Sequence, residues 1–114
     1  MSSINFPFEI AGDQYQLTVP RESTYFEGHF PGNPLLPAYA IVDQSFQLLQ
    51  KVTRNSNLKL ASLSKAKFSH PIQPGDQCSV TCEFLTENIC RVVWKVSKNQ
   101  AEPAEAVSLT LACV

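Results

Sequence analysis

Charge of either sign is scarce in this sequence, and none of it is concentrated. Nine Lys and Arg stand against ten Asp and Glu, a formal net charge of −1. Binding through nucleic-acid phosphates needs a basic excess or stripe, and neither a basic run nor an Arg-rich helix is present. No nucleic-acid partner is therefore expected. Long hydrophobic runs are missing too. No stretch approaches the ~20 apolar residues that cross a bilayer, so no membrane span is expected. The opening MSSINFPFEI has no basic segment leading into a long apolar run, so no signal peptide is visible. Cytoplasmic residence is the default expectation. Repeats, linkers and low-complexity tracts are absent as well. What remains, with 114 residues that are 44% hydrophobic and 17% charged, is one globular domain with one core over residues 1–114.

The four cysteines do not make a disulfide framework. Cys78 and Cys82 alternate along CSVTC as on a strand. At about 3.3 Å per residue their Cα atoms lie ~13 Å apart, beyond the ~7 Å that a disulfide spans. No second Cys or His pair stands at zinc-site spacing from them, and no metal is expected. They read as small buried thiols in a reduced compartment.

Periodicity supplies the architecture. FPFEIAGDQYQLTVP reads as two short extended segments around Gly12-Asp13, a hairpin turn. Prolines at 31, 34 and 37 then exclude a regular helix or a central strand. After Pro37, which suits a first helical turn, the pattern becomes helical through AYAIVDQSFQLLQKVTRN. Ile41, Ser45, Leu48, Leu49 and Val52 share one face, and Tyr39, Val42 and Phe46 add apolar weight elsewhere. A helix apolar over most of its circumference is expected to be enclosed. KLASLSKAKFSH is extended and PIQPGD turns. QCSVTCEFL alternates Cys78, Val80, Cys82 and Phe84 against polar neighbours. ICRVVWKVS, the turn KNQAEPAE and AVSLTLACV complete a run of strands. The expected fold is α+β, an antiparallel sheet wrapped around one long central helix.

Histidine is scarce, with two in the chain, and one of them is tightly framed. His29 follows Gly28 and precedes Phe30-Pro31, which restricts its backbone. Its side chain titrates nearest neutrality, so a held histidine is a candidate base. Fourteen residues on, Asp43 falls about two turns inside the apolar helix. A carboxylate enclosed there would be desolvated and kept protonated, able to donate. Between them lies a helix N-terminus near Ala38, whose free N–H groups could hold a carbonyl oxygen gaining charge. Base, acid and oxyanion site together describe proton abstraction beside a carbonyl and departure of a β-hydroxyl. A histidine in a Pro/Gly loop can equally be a hydrogen-bonded turn residue, and a helix aspartate can face solvent.

The stretch GHFPGNPLLPAYAIVDQSFQ resembles the 3-hydroxyacyl-(acyl-carrier-protein) dehydratases of the hot-dog fold. Their signature is G-H-F-P-x-x-P-x-x-P-G, an acid fourteen residues after the histidine and a glutamine four further on. Gly28, His29, Phe30, Pro31, Pro34, Pro37, Asp43 and Gln47 fall in register. AKFSHPIQPGDQCSV resembles the strand–turn–strand that follows the family's helix. The resemblance implies that His29 abstracts the C2 proton of a 3-hydroxyacyl thioester while Asp43 assists departure of the C3 hydroxyl. The Ala38 N–H would polarise the thioester carbonyl, with Gly28 and Leu35 beside the substrate and Gln47 supporting the acid. The product would be the trans-2-enoyl thioester, in fatty-acid or polyene/polyketide biosynthesis. The implied partners are an acyl carrier protein, whose phosphopantetheine carries the substrate, and a second hot-dog subunit in a homodimer or heterodimer. In such dimers the histidine of one subunit works with the helix acid of the other. No metal or redox cofactor is implied.

Two positions depart from the family pattern. Ala38 stands where the family has glycine, placing a methyl beside the thioester, and Tyr39 is bulkier than the usual residue. The compact chain, ending at Val114, also resembles the short members of aryl polyene-type pigment pathways, where a dehydratase subunit can pair with a second hot-dog subunit. His70, in SHPI, is read as structural or exposed. Lys65 and Lys67 alternate outward on one strand and could dock an acidic carrier, although a solvated strand face looks the same. A hot-dog thioesterase and a non-catalytic acyl-binding partner subunit are the competing functions. The complete signature disfavours the first, and retention of both histidine and acid disfavours the second.

Overall fold

Six strands and one helix are formed by the described residues of the chain. Its structure is a computed structural model that describes residues 6–21, 35–97 and 102–114. β1 (Glu9–Ala11) and β2 (Gln14–Thr18) make the expected hairpin, with Ala11 paired to Gln14 across Gly12-Asp13. Gly12 sits at φ +65°, a conformation that side chains resist and tight hairpin turns require. α1 (Ala38–Thr53) follows directly on Pro37. β3 (Leu60–Phe68), β4 (Gln77–Phe84), β5 (Ile89–Ser97) and β6 (Ala104–Cys113) complete the chain. The turn expected over KNQAEPAE falls partly outside the described residues. The sheet order is β1-β2-β4-β5-β6-β3 and every pairing is antiparallel, so β1 and β3 are its two edges.

Strand alternation converts directly into a two-faced sheet. Cys78 and Val80 of β4, Val92 and Trp94 of β5, and Val107 and Leu109 of β6 are buried on the inward face. The register sets them in rows, such as Val80 beside Trp94 beside Val107. Against this face α1 lays Ala40, Ile41, Gln44, Ser45, Leu48 and Leu49. The two buried polar residues are both bonded. Trp94 Nε1 donates to Ser45 Oγ at 2.8 Å, and Ser45 Oγ donates to the Ile41 carbonyl at 2.7 Å. Gln44 Oε1 accepts the Phe6 N–H at 2.9 Å. Unpaired groups at such depth would each cost about 1–3 kcal/mol, so these bonds fix where the helix sits on the sheet. Phe8 adds an edge-to-face contact on Trp94, with ring centroids 5.8 Å apart. α1 ends where Arg54 turns left-handed at φ 56° and the Asn55 N–H reaches back to Gln50 O at 3.0 Å.

Two regions stay open. The helix was expected to be enclosed, and one chain encloses only one side of it. Tyr39 is 66% exposed, Asp43 and Lys51 are exposed, and Val42 and Phe46 are half-buried. The cause is geometric: a single sheet covers one face of a helix and leaves the other to solvent or to another molecule. The second open region is β3, where all nine residues are exposed. By register Leu63, Ala66 and Phe68 lie opposite the inward-facing Leu111, Leu109 and Val107. They point to the core side of the sheet, yet none of the described residues buries them.

No disulfide joins the cysteines. Cys78 and Cys82 occupy the same face of β4 as expected of alternating residues. Hydrogen bonding between Cys82 and Cys90 across the β4–β5 ladder raises Cys82 above the usual thiol range, with burial adding to it, and lowers Cys90. Burial likewise raises Cys113.

Candidate active site

Pro37, extended at φ −70° and ψ 156°, offers no side-chain cap, and the first turn carries no acid. The Pro37 carbonyl takes the N–H groups of Ala40 at 3.0 Å and Ile41 at 3.2 Å. The Ala38 N–H, at the first helical position, has no intrahelical acceptor, and the helix dipole places partial positive charge there. Backbone bonds bring the segment after β3 against this end. The Leu36 N–H donates to Ile72 O at 2.7 Å, and the Ser69 and His70 N–H groups share Ala106 O at 2.7 and 3.3 Å. Between them opens a cleft of about 340 Å³, lined by Leu35, Ala38, Ile41, Phe68, His70 and Ile72 among others. Apolar walls leading to a bare helix N-terminus suit an acyl group whose carbonyl oxygen gains negative charge.

The turn after this segment is fastened to β2. Val19 N–H donates to Asp76 O and Gly75 N–H to Val19 O, each at 2.8 Å, while Asp76 Oδ2 accepts the Gln73 N–H at 2.8 Å. Gly75 has φ +86°, and a Cβ there would sit 2.7 Å from the Arg21 guanidinium. Backbone conformation is thus what favours glycine in PGD, since the flexible Arg21 side chain could swing aside.

Asp43 stands on the open face of α1. Gln47, one turn on, donates Nε2 to Asp43 Oδ2 at 3.1 Å. Because a carboxylate only accepts, the amide nitrogen must face it. Gln47 Oε1 is consequently turned inward, buried and without a partner among the described residues. A cavity of about 410 Å³ lies there, lined by Phe6, Phe8, Gln44, Gln47, Leu48 and Lys51. A further groove of about 480 Å³ between β1, β2 and β4 has none of the expected site residues among its described lining.

The expected residues therefore fall into two groups within one chain. Leu35 and Ala38 share the cleft at the helix N-terminus, and Asp43 and Gln47 are joined on the open helix face. Ala38 and Asp43 are five residues apart on the helix, ~7.5 Å along its axis. His29 and Gly28 lie outside the described residues. His70, read as structural or exposed, is exposed, and it also lines the Ala38 cleft. Its place in FSHPIQPGD, the second family-like stretch, was the signal that could have located it.

One long helix packed on one face of a six-stranded antiparallel sheet, with its N-terminus at an apolar cleft, defines a hot-dog domain. The chain belongs to the ApeI-like family, whose model, described as ApeI dehydratase, matches residues 11–109. It is 32% identical over 71 residues to the 3-hydroxyacyl-(acyl-carrier-protein) dehydratase FabZ of Blochmanniella floridana, covering 55% of this chain and 47% of that protein. The chain thus spans about half the length of the curated relatives it matches. Among solved structures, the dehydratase heterocomplex ApeI:P from Xenorhabdus doucetiae superposes with a TM-score of 0.76 at 21% identity, covering 99% of this chain and 98% of that one. A mutant thioesterase from Pseudomonas aeruginosa shares the fold at a TM-score of 0.59 and 17% identity, covering 96% and 81%.

Proposed function

We propose that this chain dehydrates a 3-hydroxyacyl thioester, carried on the phosphopantetheine of an acyl carrier protein, to the trans-2-enoyl thioester. The observation that carries this reading is the helix N-terminus at Ala38, which Pro37 leaves without a side-chain cap, opening onto an apolar cleft with Asp43 and Gln47 further along the same helix. In the reaction the Ala38 N–H accepts a share of the charge that develops on the thioester oxygen. His29 removes the C2 proton. The C3–O bond breaks with a proton delivered by Asp43, so that the hydroxyl leaves as water. A proton passing from His29 back to Asp43 resets the site. Gln47, donating to Asp43 Oδ2, orients the carboxyl group.

Asp43 on the open helix face is the reason for a dimer. Within one chain it is exposed, and a carboxylate that must deliver a proton works best away from bulk water. A second hot-dog subunit adding its own edge strand beside β3 would extend the sheet, bring its own helix toward the inward face that carries Leu63, Ala66 and Phe68, and close the site. His29 of one subunit would then serve Asp43 of the other. Placement in fatty-acid or aryl polyene biosynthesis follows from the relatives and is part of the same proposal.

The test is incubation of the purified protein with a 3-hydroxyacyl carrier protein while the mass of the acyl group is followed. Loss of water is the expected result. Loss of the whole acyl group would make it a thioesterase instead, and no change even with a partner subunit present would leave it a non-catalytic subunit. His29→Ala and Asp43→Asn are each expected to abolish dehydration while circular dichroism stays unchanged; full activity in either removes that residue from the mechanism.

A further inference from the structure

The Asp43–Gln47 bond uses only half of an amide. Gln47 gives Nε2 to Asp43 Oδ2 at 3.1 Å, and its Oε1 is buried with no partner among the described residues. Buried acceptors are nearly always bonded, so this oxygen marks a place where a donor belongs. Beside it lies the cavity of about 410 Å³, to which Phe6, Phe8 and Leu48 give apolar walls. Lys51, exposed and one turn beyond Gln47, brings an ammonium to its rim. Among the described residues no acidic side chain pairs with that ammonium. Gln44, the remaining lining residue, already has its Oε1 on the Phe6 N–H.

Water alone suits this lining poorly, because a buried water needs about two to four polar partners and apolar cavities stay dry. The volume falls within the roughly 300–1,000 Å³ of small-molecule pockets, which combine apolar walls with a few polar groups. Each feature calls for one complementary group: Gln47 Oε1 for a hydroxyl proton, Lys51 for an anion, Phe6 and Phe8 for a hydrocarbon chain. Gln47 and Lys51 stand four residues apart on one helix, ~6 Å along its axis. Both side chains are long, so a hydroxyl and a carboxylate on one small molecule can engage the two together.

We propose that this cavity binds a free 3-hydroxy carboxylic acid of medium chain length, and that its occupancy slows dehydration at Asp43. The binding stands on the cavity alone, and the slowing rests on the reaction proposed above. Gln47 can meet Asp43 in two ways. Its Nε2 donates to the carboxylate, whereas the protonated acid donates to Oε1 once the amide has turned. A ligand hydroxyl on Oε1 holds the amide in the first arrangement and so favours the carboxylate, which has no proton to deliver to the leaving hydroxyl. The free acid is what hydrolysis of the substrate thioester releases, so the cavity would sense substrate lost from its carrier.

The test titrates the purified chain with 3-hydroxyoctanoate by calorimetry, and saturable binding is expected. Octanoate lacks the donor and methyl 3-hydroxyoctanoate lacks the anion; each is expected to bind about tenfold or more weakly. Lys51→Gln is expected to erase the preference for the acid over its ester while leaving dehydration without ligand unchanged. Gln47→Leu, its fold checked by circular dichroism, is expected to erase the preference for 3-hydroxyoctanoate over octanoate. In the dehydration assay the ligand is expected to lower kcat with little change in KM, and Lys51→Gln to relieve that inhibition. Absence of saturable binding, equal binding of the three compounds, or an acid preference that survives Lys51→Gln would each overturn the inference. Purely competitive inhibition would do the same, by placing the ligand in the substrate site. Binding without inhibition of an active enzyme overturns the regulatory step alone. A chain that never dehydrates overturns the catalytic reading, while the calorimetry still decides what the cavity binds.

Discussion

β6 has two neighbours and shares a different fate with each. Toward β5 its inward residues Val107, Leu109 and Leu111 lie beside Trp94, Val92 and Cys90, all buried under α1. Toward β3 the same three residues lie beside Phe68, Ala66 and Leu63, all exposed. The inward face is apolar on both sides, so composition does not account for the difference. Coverage does: α1 reaches β5 through the Ser45–Trp94 bond, and the sheet continues one strand beyond what the helix shields. An apolar residue on a strand is thus a core residue only when a second layer arrives. The β5 side receives that layer from α1, and the β3 side receives none from the described residues.

The contrast can be broken most severely at the covered side. Trp94→Ala is expected to lower the unfolding free energy by about 3–5 kcal/mol, as large-to-small core changes do; urea denaturation followed by circular dichroism measures it. Ser45→Ala strands the Trp94 indole N–H in a dry core and is expected to cost about 1–3 kcal/mol in the same experiment. A loss no larger than that of an exposed helix serine would show that the bond does not position the helix. On the open side, Leu63→Ser is expected to change the stability of the isolated chain by about 0.5 kcal/mol or less. It should still weaken association with a partner subunit, by roughly tenfold for the lost apolar burial. Equal costs on both sides would erase the distinction. Arg54→Gly, at the helix end and part of neither region, relieves the left-handed backbone at φ 56° and is expected to gain about 0.5 kcal/mol. It sets the scale of a purely local effect.

Much of this fold was legible because local rules and tertiary demands agree. Ile41, Ser45, Leu48 and Leu49 repeat at helical spacing and are the residues α1 buries. Gly12-Asp13 marks a hairpin that closes where expected. β3 was less legible for a physical reason: its two irregularities shift the parity of the strand. Leu60, Leu63 and Ala66 are three residues apart rather than two, so alternation alone misassigns their faces. Helix enclosure was misjudged because Tyr39, Val42 and Phe46 make α1 look like a core element on every side. Apolarity states that something should cover those residues and says nothing of whether it belongs to the same chain. At the candidate site, motif spacing nominated Ala38, Asp43 and Gln47, and the structure adds the Gln47–Asp43 bond and the cleft that Ala38 shares with His70. A partner across a sheet, such as Ala106 for His70, depends on a strand distant in sequence, which no local pattern announces.

The bond between Ser45 and Trp94 also makes the molecule its own optical gauge. Trp94 is the one tryptophan in the chain, fully buried, with its indole N–H on a helix hydroxyl 2.8 Å away. Its emission colour therefore reports whether the helix is seated on the sheet. Any rocking of α1 that accompanies substrate entry or subunit joining would register as a red shift, in solution and without an added label.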